Sequence, residues 1–160
     1  MTTLGYRVDV RRADELSARE FYALLKLRVD VFVVEQKCAY PELDGKDMDA
    51  LHLRFLAGDE LIAAARILPP SGADSPARIG RVVVSPAHRG RRLGGKLMQE
   101  AIAACERLFP ATPVALSAQS HLVRFYESLG FSPTSEVYLE DDIPHIDMVR
   151  PPSTVAPRKT

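Results

Sequence analysis

Between Arg89 and Gly95 the chain reads Arg-Gly-Arg-Arg-Leu-Gly-Gly, a short basic loop rich in glycine. Before it, Val82-Val83-Val84 is a β-branched run bounded by Pro86, the pattern of a buried strand. After it, Leu93, Leu97, Met98, Ala101, Ile102 and Cys105 fall on one face of a helix. A strand, a glycine loop and a helix N-terminus together offer several backbone N–H groups to an anion, and the helix dipole and arginines add positive potential. Arg89, Gly90, Arg91, Arg92, Leu93, Gly94 and Gly95 therefore form a candidate cradle for a phosphate or pyrophosphate. A nucleotide-hydrolysing P-loop fits less well. Gly90, Gly95 and Lys96 match its spacing, but Leu97 stands where a hydroxyl should hold Mg²⁺. The dinucleotide pattern G-x-G-x-x-G is absent.

Other elements must position this loop. Alternation over Tyr6–Val10 predicts a first strand, and Ser17 with Glu20 forms a capping box for a helix carrying Phe21, Leu24, Leu25 and Arg28 on one side. An apolar run then ends abruptly at Glu35-Gln36 and enters a loop with several acidic groups. Leu51–Leu56 and Leu61–Leu68, joined through Ala57-Gly58-Asp59-Glu60, read as a hairpin. Pro69–Pro76 is a loop by composition. Val114–Ala118 reads as a short buried strand whose expected partner is Val82–Val84. A helix over His121–Leu129 follows, with Gly130 as its C′ residue. On periodicity alone Tyr126 is an amphipathic residue at the edge of the core. Val137–Leu139 and Ile146–Val149 suggest a last strand pair joined through Glu140–His145. His145 is of a type that titrates near neutrality and can act as a base or a ligand. Residues 1–150 are expected to form one domain, and 151–160, rich in Pro, Ser, Thr and basic residues, a disordered tail.

Arg89-Gly90-Arg91-Arg92-Leu93-Gly94 resembles the acyl-CoA loop R/Q-x-x-G-x-G/A of the GNAT N-acetyltransferases, with Arg92 where that family usually has glycine. Downstream, Phe125–Phe131 resembles its second signature, F-Y-x-x-x-G-F. Arg28–Gln36 and Tyr138–Met148 resemble R-x-x-V-F-x-x-E-Q and Y-L-E-D-x-I-P-H-I-x-M of the ElaA-like subgroup. The resemblance implies a mixed α/β fold, with a central, mostly antiparallel sheet, helices on both faces and a parallel strand pair that splays to admit the pantetheine arm. It implies acetyl-CoA as donor and a primary amine, on a small molecule or peptide, as acceptor. Val82, Val83 and Val84 would flank the pantetheine, the backbone N–H near Val83 would face the reacting carbonyl, and Gln119 would replace an asparagine that contacts the arm. Tyr126 falls on the family's usual general acid. Glu35, Asp44, His52, Ser117 and His145 are the acceptor-side candidates. Glu35 and Asp44 could equally cap helices or pair with arginines. Arg78–Val84 lacks the carboxylate that some relatives use as base, which leaves Glu35, Asp44, His52, His145 or a water relay. Homodimers are common in such relatives. Two alternatives stay open: a longer acyl donor, since the V-F-x-x-E-Q segment also resembles acyl-homoserine-lactone synthases, and a non-catalytic acyl-CoA sensor.

Composition narrows the remaining classes. The chain has 160 residues, 46% hydrophobic and 26% charged, enough for one substantial core. Lys+Arg and Asp+Glu are both 21, so no global field favours nucleic acid or an anionic membrane as partner. Cys38 and Cys105 lack a metal-ligand spacing, and no metal is expected. No secretory signal or membrane-length apolar run is visible, which makes a reducing cytoplasm the expected compartment.

Overall fold

The computed structural model describes residues 5–152, so the expected tail beyond Pro152 lies outside the described residues. Eight strands form one sheet: β1 (Arg7–Arg12), β2 (Leu51–Ala57), β3 (Glu60–Leu68), β4 (Ala77–Val84), β5 (Val114–Gln119), β6 (Ser132–Pro133), β7 (Tyr138–Glu140) and β8 (Ile143–Arg150). Their order is β1-β2-β3-β4-β5-β8-β6, with β7 also on β8. All pairings are antiparallel except β4 with β5. Helix α1 (Ala18–Val29) packs on one face and α2 (Leu93–Leu108) on the other; a third, α3 (Val123–Glu127), is short.

Strand β3 shows why both faces are covered. Ala63, Ala65 and Ile67 join the core under α2, while Ala64 joins Leu24 and Val31 under α1. Its run Ile62–Ile67 is consequently buried throughout rather than alternating. Helix α1 begins as expected: the Ser17 hydroxyl accepts from Glu20 N–H at 3.1 Å, and the Glu20 carboxylate accepts from Ser17 N–H at 2.7 Å. The apolar run that follows is not a strand. Asp30–Glu35 continues the helix with wider turns, Gln36 N–H reaching Val31 O and Cys38 N–H reaching Val33 O.

Three local expectations are corrected. Val82–Val84 does not pair with β5, because the parallel ladder contains only Ala77↔Val114 and Arg78↔Ala115. Two residues, Arg81 and Val82, lie opposite the single Ala65 in the β3 ladder, a bulge that bends β4 away, with Arg81 at φ +52°. His145 is not in a connecting loop. Asp141 and Asp142, at φ +51° and +64°, make a two-residue turn that lets β8 start at Ile143. The expected helix over 121–129 is α3 alone, preceded by a 3₁₀ turn at Ser120–Leu122. It ends as foreseen on Gly130 (φ +97°): Gly130 N–H reaches Glu127 O and Phe131 N–H reaches Tyr126 O. A Cβ at Gly130 would come within 3.1 Å of Arg150 Nε, so space as well as φ favours glycine there.

Candidate active site

The opening of the β4–β5 ladder creates a cleft of about 760 Å³ that passes between the two strands. Gly80, Arg81 and Val82 line it from β4, Leu116, Ser117 and Gln119 from β5, and Gly94, Gly95 and Met98 from α2. On the α2 side the cleft meets that helix's N-terminus. Arg92 is the N-cap at φ +60°, and it supplies no side-chain cap; the first turn carries no acidic residue. The initial N–H groups of α2 are thus left without a side-chain acceptor beside several arginines, the chemistry a pyrophosphate requires. A Cβ at Gly94 would meet nothing within 4 Å, consistent with open space at this surface. Arg92 itself adopts the left-handed conformation that a glycine would take without strain.

Of the expected cofactor contacts, Val82, Arg92, Gly94, Gly95, Gln119 and Tyr126 line the cleft. Arg89, Gly90, Arg91, Leu93, Val83 and Val84 are not among its lining. Leu93, the first residue of α2, points into the core, and Val83 packs with the α1 cluster. Tyr126 sits edge-on between Phe125 (5.0 Å) and Phe131 (6.1 Å). Burial raises its pKa, which keeps the phenol protonated.

The acceptor-side candidates separate into two groups. Asp44, Ser117 and His145 line the cleft; Glu35 and His52 do not. Glu35 receives both terminal nitrogens of Arg89, at 2.6 and 2.7 Å, and this hydrogen bonding holds its pKa down. His52 is fully buried, donating Nε2–H to Asp47 O at 2.9 Å, and burial lowers its pKa. Asp44 is gripped by Arg66 at 2.9 Å through both oxygens. Burial alone would raise its pKa, but Arg66, Lys46 N–H and Arg81 hold it well below the usual carboxylate range. For Glu35 and Asp44, the arginine-partner reading describes their surroundings. His145 donates Nδ1–H to Ile143 O at 2.7 Å, which leaves Nε2 as the ring's acceptor. Ser117 hydrogen-bonds the Tyr138 hydroxyl, which donates to Asp147 at 2.5 Å.

Sequence reasoning missed the buried charges behind this wall. Glu42, 3% exposed, accepts from Arg28 Nε at 2.6 Å, Arg81 Nε at 2.8 Å and the Tyr40 hydroxyl. Asp47 accepts from Arg28 at 2.7 and 3.1 Å and from Arg66 at 3.2 Å. These bonds fasten the 40–47 loop to β3 and to the β4 bulge. Arg28 was the one member with a sequence signal, a cation on the apolar side of α1. Among the described residues, no group of three or more His, Cys, Asp or Glu is placed to hold a metal, and no helix is long and apolar enough to cross a membrane.

A family model for the GNAT acetyltransferase domain matches residues 15–150. The chain belongs to the GNAT acetyltransferase family. Within it the chain is ElaA-like: Protein ElaA of Escherichia coli K12 is 50% identical over 138 residues, covering 85% of this chain and 90% of that protein. The crystal structure of Escherichia coli ElaA superposes with a TM-score of 0.86 at 46% identity, covering 91% of this chain and 99% of the other. An acyl-CoA N-acyltransferase from Pseudomonas aeruginosa superposes at 0.88 with 49% identity and the same coverages. A CoA-dependent acyl-homoserine lactone synthase, 18% identical over 94% of this chain and 85% of its own (TM-score 0.78), shares the fold. Domain and neighbours make this GNAT protein an acyltransferase, and the open mostly antiparallel sheet with its parallel β4–β5 pair is the GNAT fold.

Proposed function

We propose that this GNAT protein moves an acetyl group from acetyl-CoA to a primary amine by direct attack with both substrates bound. The observation that carries the reading is the coincidence of the uncapped, basic α2 N-terminus with the β4–β5 opening and Tyr126 in one cleft. Acetyl-CoA supplies the activated acyl group as a thioester. The N–H groups of the first turn of α2, with Arg92, Gly94 and Gly95, hold its pyrophosphate, and Gln119 offers an amide to the pantetheine. Beyond Arg78 the β4 edge has no β5 partner, so those backbone groups between Gly80 and Val82 that face β5 rather than β3 are left to orient the acyl carbonyl.

An alkylammonium has a pKa near ~10.4 and must lose a proton before it attacks. His145 serves as acceptor, directly or through water: it lines the cleft with Nδ1 committed to Ile143 and Nε2 available. Asp44 is less suited, being stabilised in its ionised form by arginines. As the amine nitrogen bonds to carbon and the carbon–sulfur bond breaks, the Tyr126 phenol gives its proton to the departing sulfur, while the nitrogen releases its second proton to water, which reprotonates the phenolate. Alignment of the two reactants supplies much of the remaining acceleration. The test is acetyl-CoA binding by calorimetry, followed by amine-dependent thiol release with acetyl-, propionyl- and octanoyl-CoA. Preference for octanoyl-CoA would replace the acetyl assignment with a longer donor. Binding without thiol release across a broad amine panel would point to a sensor.

A further inference from the structure

The acceptor end of the cleft is charged, and its two walls differ in sign. One wall comprises the 40–47 loop, β3 and β4, with Asp44, Lys46, Arg66, Arg78 and Arg81 in the lining. Behind it, the guanidinium groups of Arg28, Arg66 and Arg81 meet the carboxylates of Glu42, Asp44 and Asp47 in a connected set of ion pairs. Three cations and three anions leave that set neutral. Arg78 and Lys46 stand outside it: among the described residues neither side chain has an ion-pair or hydrogen-bond partner. The opposite wall is the β7–β8 hairpin, where Glu140 and Asp141 line the cleft without a cationic partner, beside His145.

The register shows which ligand Arg78 can meet. Arg78 pairs with Leu68, two residues from Arg66, and across the ladder with Ala115, two residues from Ser117. It therefore shares a sheet face with Arg66 and Ser117. Its neighbours Ala77 and Ile79 point the other way, into the core under α2. The phosphate cradle lies at the N-terminus of α2, on that other side of the sheet. Arg78 is thus an uncompensated guanidinium on the acceptor side, not one of the cradle's arginines.

From this arrangement we infer that the acceptor amine carries a carboxylate, as a free amino acid or a similar small aminocarboxylate does. This inference rests on the acetyltransferase reading above and adds the acceptor's class. The acceptor's carboxylate pairs with Arg78, whose planar fork suits bidentate binding, and Lys46 adds positive potential. Its ammonium is drawn to the Glu140–Asp141 wall, next to His145, which takes its proton. A polycationic amine would gain at one wall and be repelled at the other.

Matched acceptors test the assignment: free amino acids against their amides and decarboxylated amines, read as acceptor-dependent thiol release from acetyl-CoA. The acids should exceed their amides by roughly tenfold or more in kcat/KM, the worth of one charge-assisted contact. Arg78→Gln should bring that ratio near unity, Arg78→Lys should restore part of it, and both should leave acetyl-CoA affinity by calorimetry within about twofold of wild type. N-acetyl amino acids and N-acetyl amines titrated into CoA-saturated protein give the same comparison without turnover. Equal or better use of amides and polyamines would overturn the inference, as would a Gln variant that slows acids and amides alike or an absence of any N-acetyl amino acid binding. Loss of acetyl-CoA affinity in Arg78→Gln would reassign the residue to the cofactor. Wild-type protein that fails to bind acetyl-CoA at all would instead defeat the underlying acetyltransferase reading.

Discussion

Glu42→Gln isolates the charge that joins the 40–47 loop to the β4 bulge. In the native protein the Glu42 carboxylate is 3% exposed and accepts from two guanidinium groups and a phenol. Glutamine fills the same volume, but it removes the negative charge and presents N–H groups to at least one donor. Removing one partner of a buried ion pair costs about 3–5 kcal/mol, because the other charge stays buried. Arg28 keeps Asp47 and Arg81 keeps Asp44, so the lower end, ~3 kcal/mol, applies. A second loss comes with it, since Arg81 holds a left-handed backbone that its contacts to Glu42 over-determine. At roughly 2–4 °C per kcal/mol for a protein of this size, the melting temperature should fall by roughly 6–12 °C. Scanning calorimetry measures it, with Glu35→Gln as the comparison. That substitution breaks a bidentate pair whose side chains are each 44% exposed, and it should barely move the melting temperature. Equal shifts in the two variants would refute the reasoning that burial, rather than bond geometry, sets the cost.

Arg92→Gly should raise stability by about 0.5–1 kcal/mol in urea unfolding, since a left-handed Arg costs more than the added flexibility of glycine, and acetyl-CoA affinity should hold or improve. Tyr126→Phe should leave acetyl-CoA affinity nearly unchanged and lower kcat by roughly 10²–10⁴-fold, read on one preparation by calorimetry and thiol release. Gly94→Val should preserve the fold, because a Cβ there meets nothing within 4 Å, while acetyl-CoA affinity in the same calorimetry falls strongly. Burial works against the Asp47 carboxylate, yet Arg28 and Arg66 lower its pKa from 3.8. Its stabilisation is therefore full above that unfolded value and is lost as pH falls through the lower folded one. Wild type should lose melting temperature below about pH 4 faster than Asp47→Asn, whose own deficit is largest at neutral pH.

The loop, the central strand–helix junction and the C-terminal signature were legible because their chemistry is local. A β-branched run, a glycine-rich turn and an apolar stripe announce a strand, a tight loop and a helix N-terminus within a few residues of one another. The capping box at Ser17 and Glu20 and the helix stop at Gly130 were readable for the same reason, each being a bond or a φ angle set by neighbours in sequence.

What the sequence could not display is pairing across distance. Arg81 sits before a valine run that reads as uninterrupted strand, and only its pairing with β3 reveals a bulge. The end of the β4–β5 ladder at Arg78 and Ala115 follows from that bend, and with it the cleft. Glu42, Asp47 and Arg66 look like surface charges one by one, and Arg28, though on the apolar side of α1, names no partner; all four are buried against partners that lie 14 to 39 residues away along the chain. The family is carried by sequence alone, since its motifs are local, and those motifs single out the glycine loop and Tyr126 as the candidates proposed for the cofactor and the leaving group. Tertiary structure alone decided which charges are spent on one another and which, like Arg78, face the cleft without a partner. An ion pair forms between groups that are close in space, and proximity in space is a property of the folded sheet.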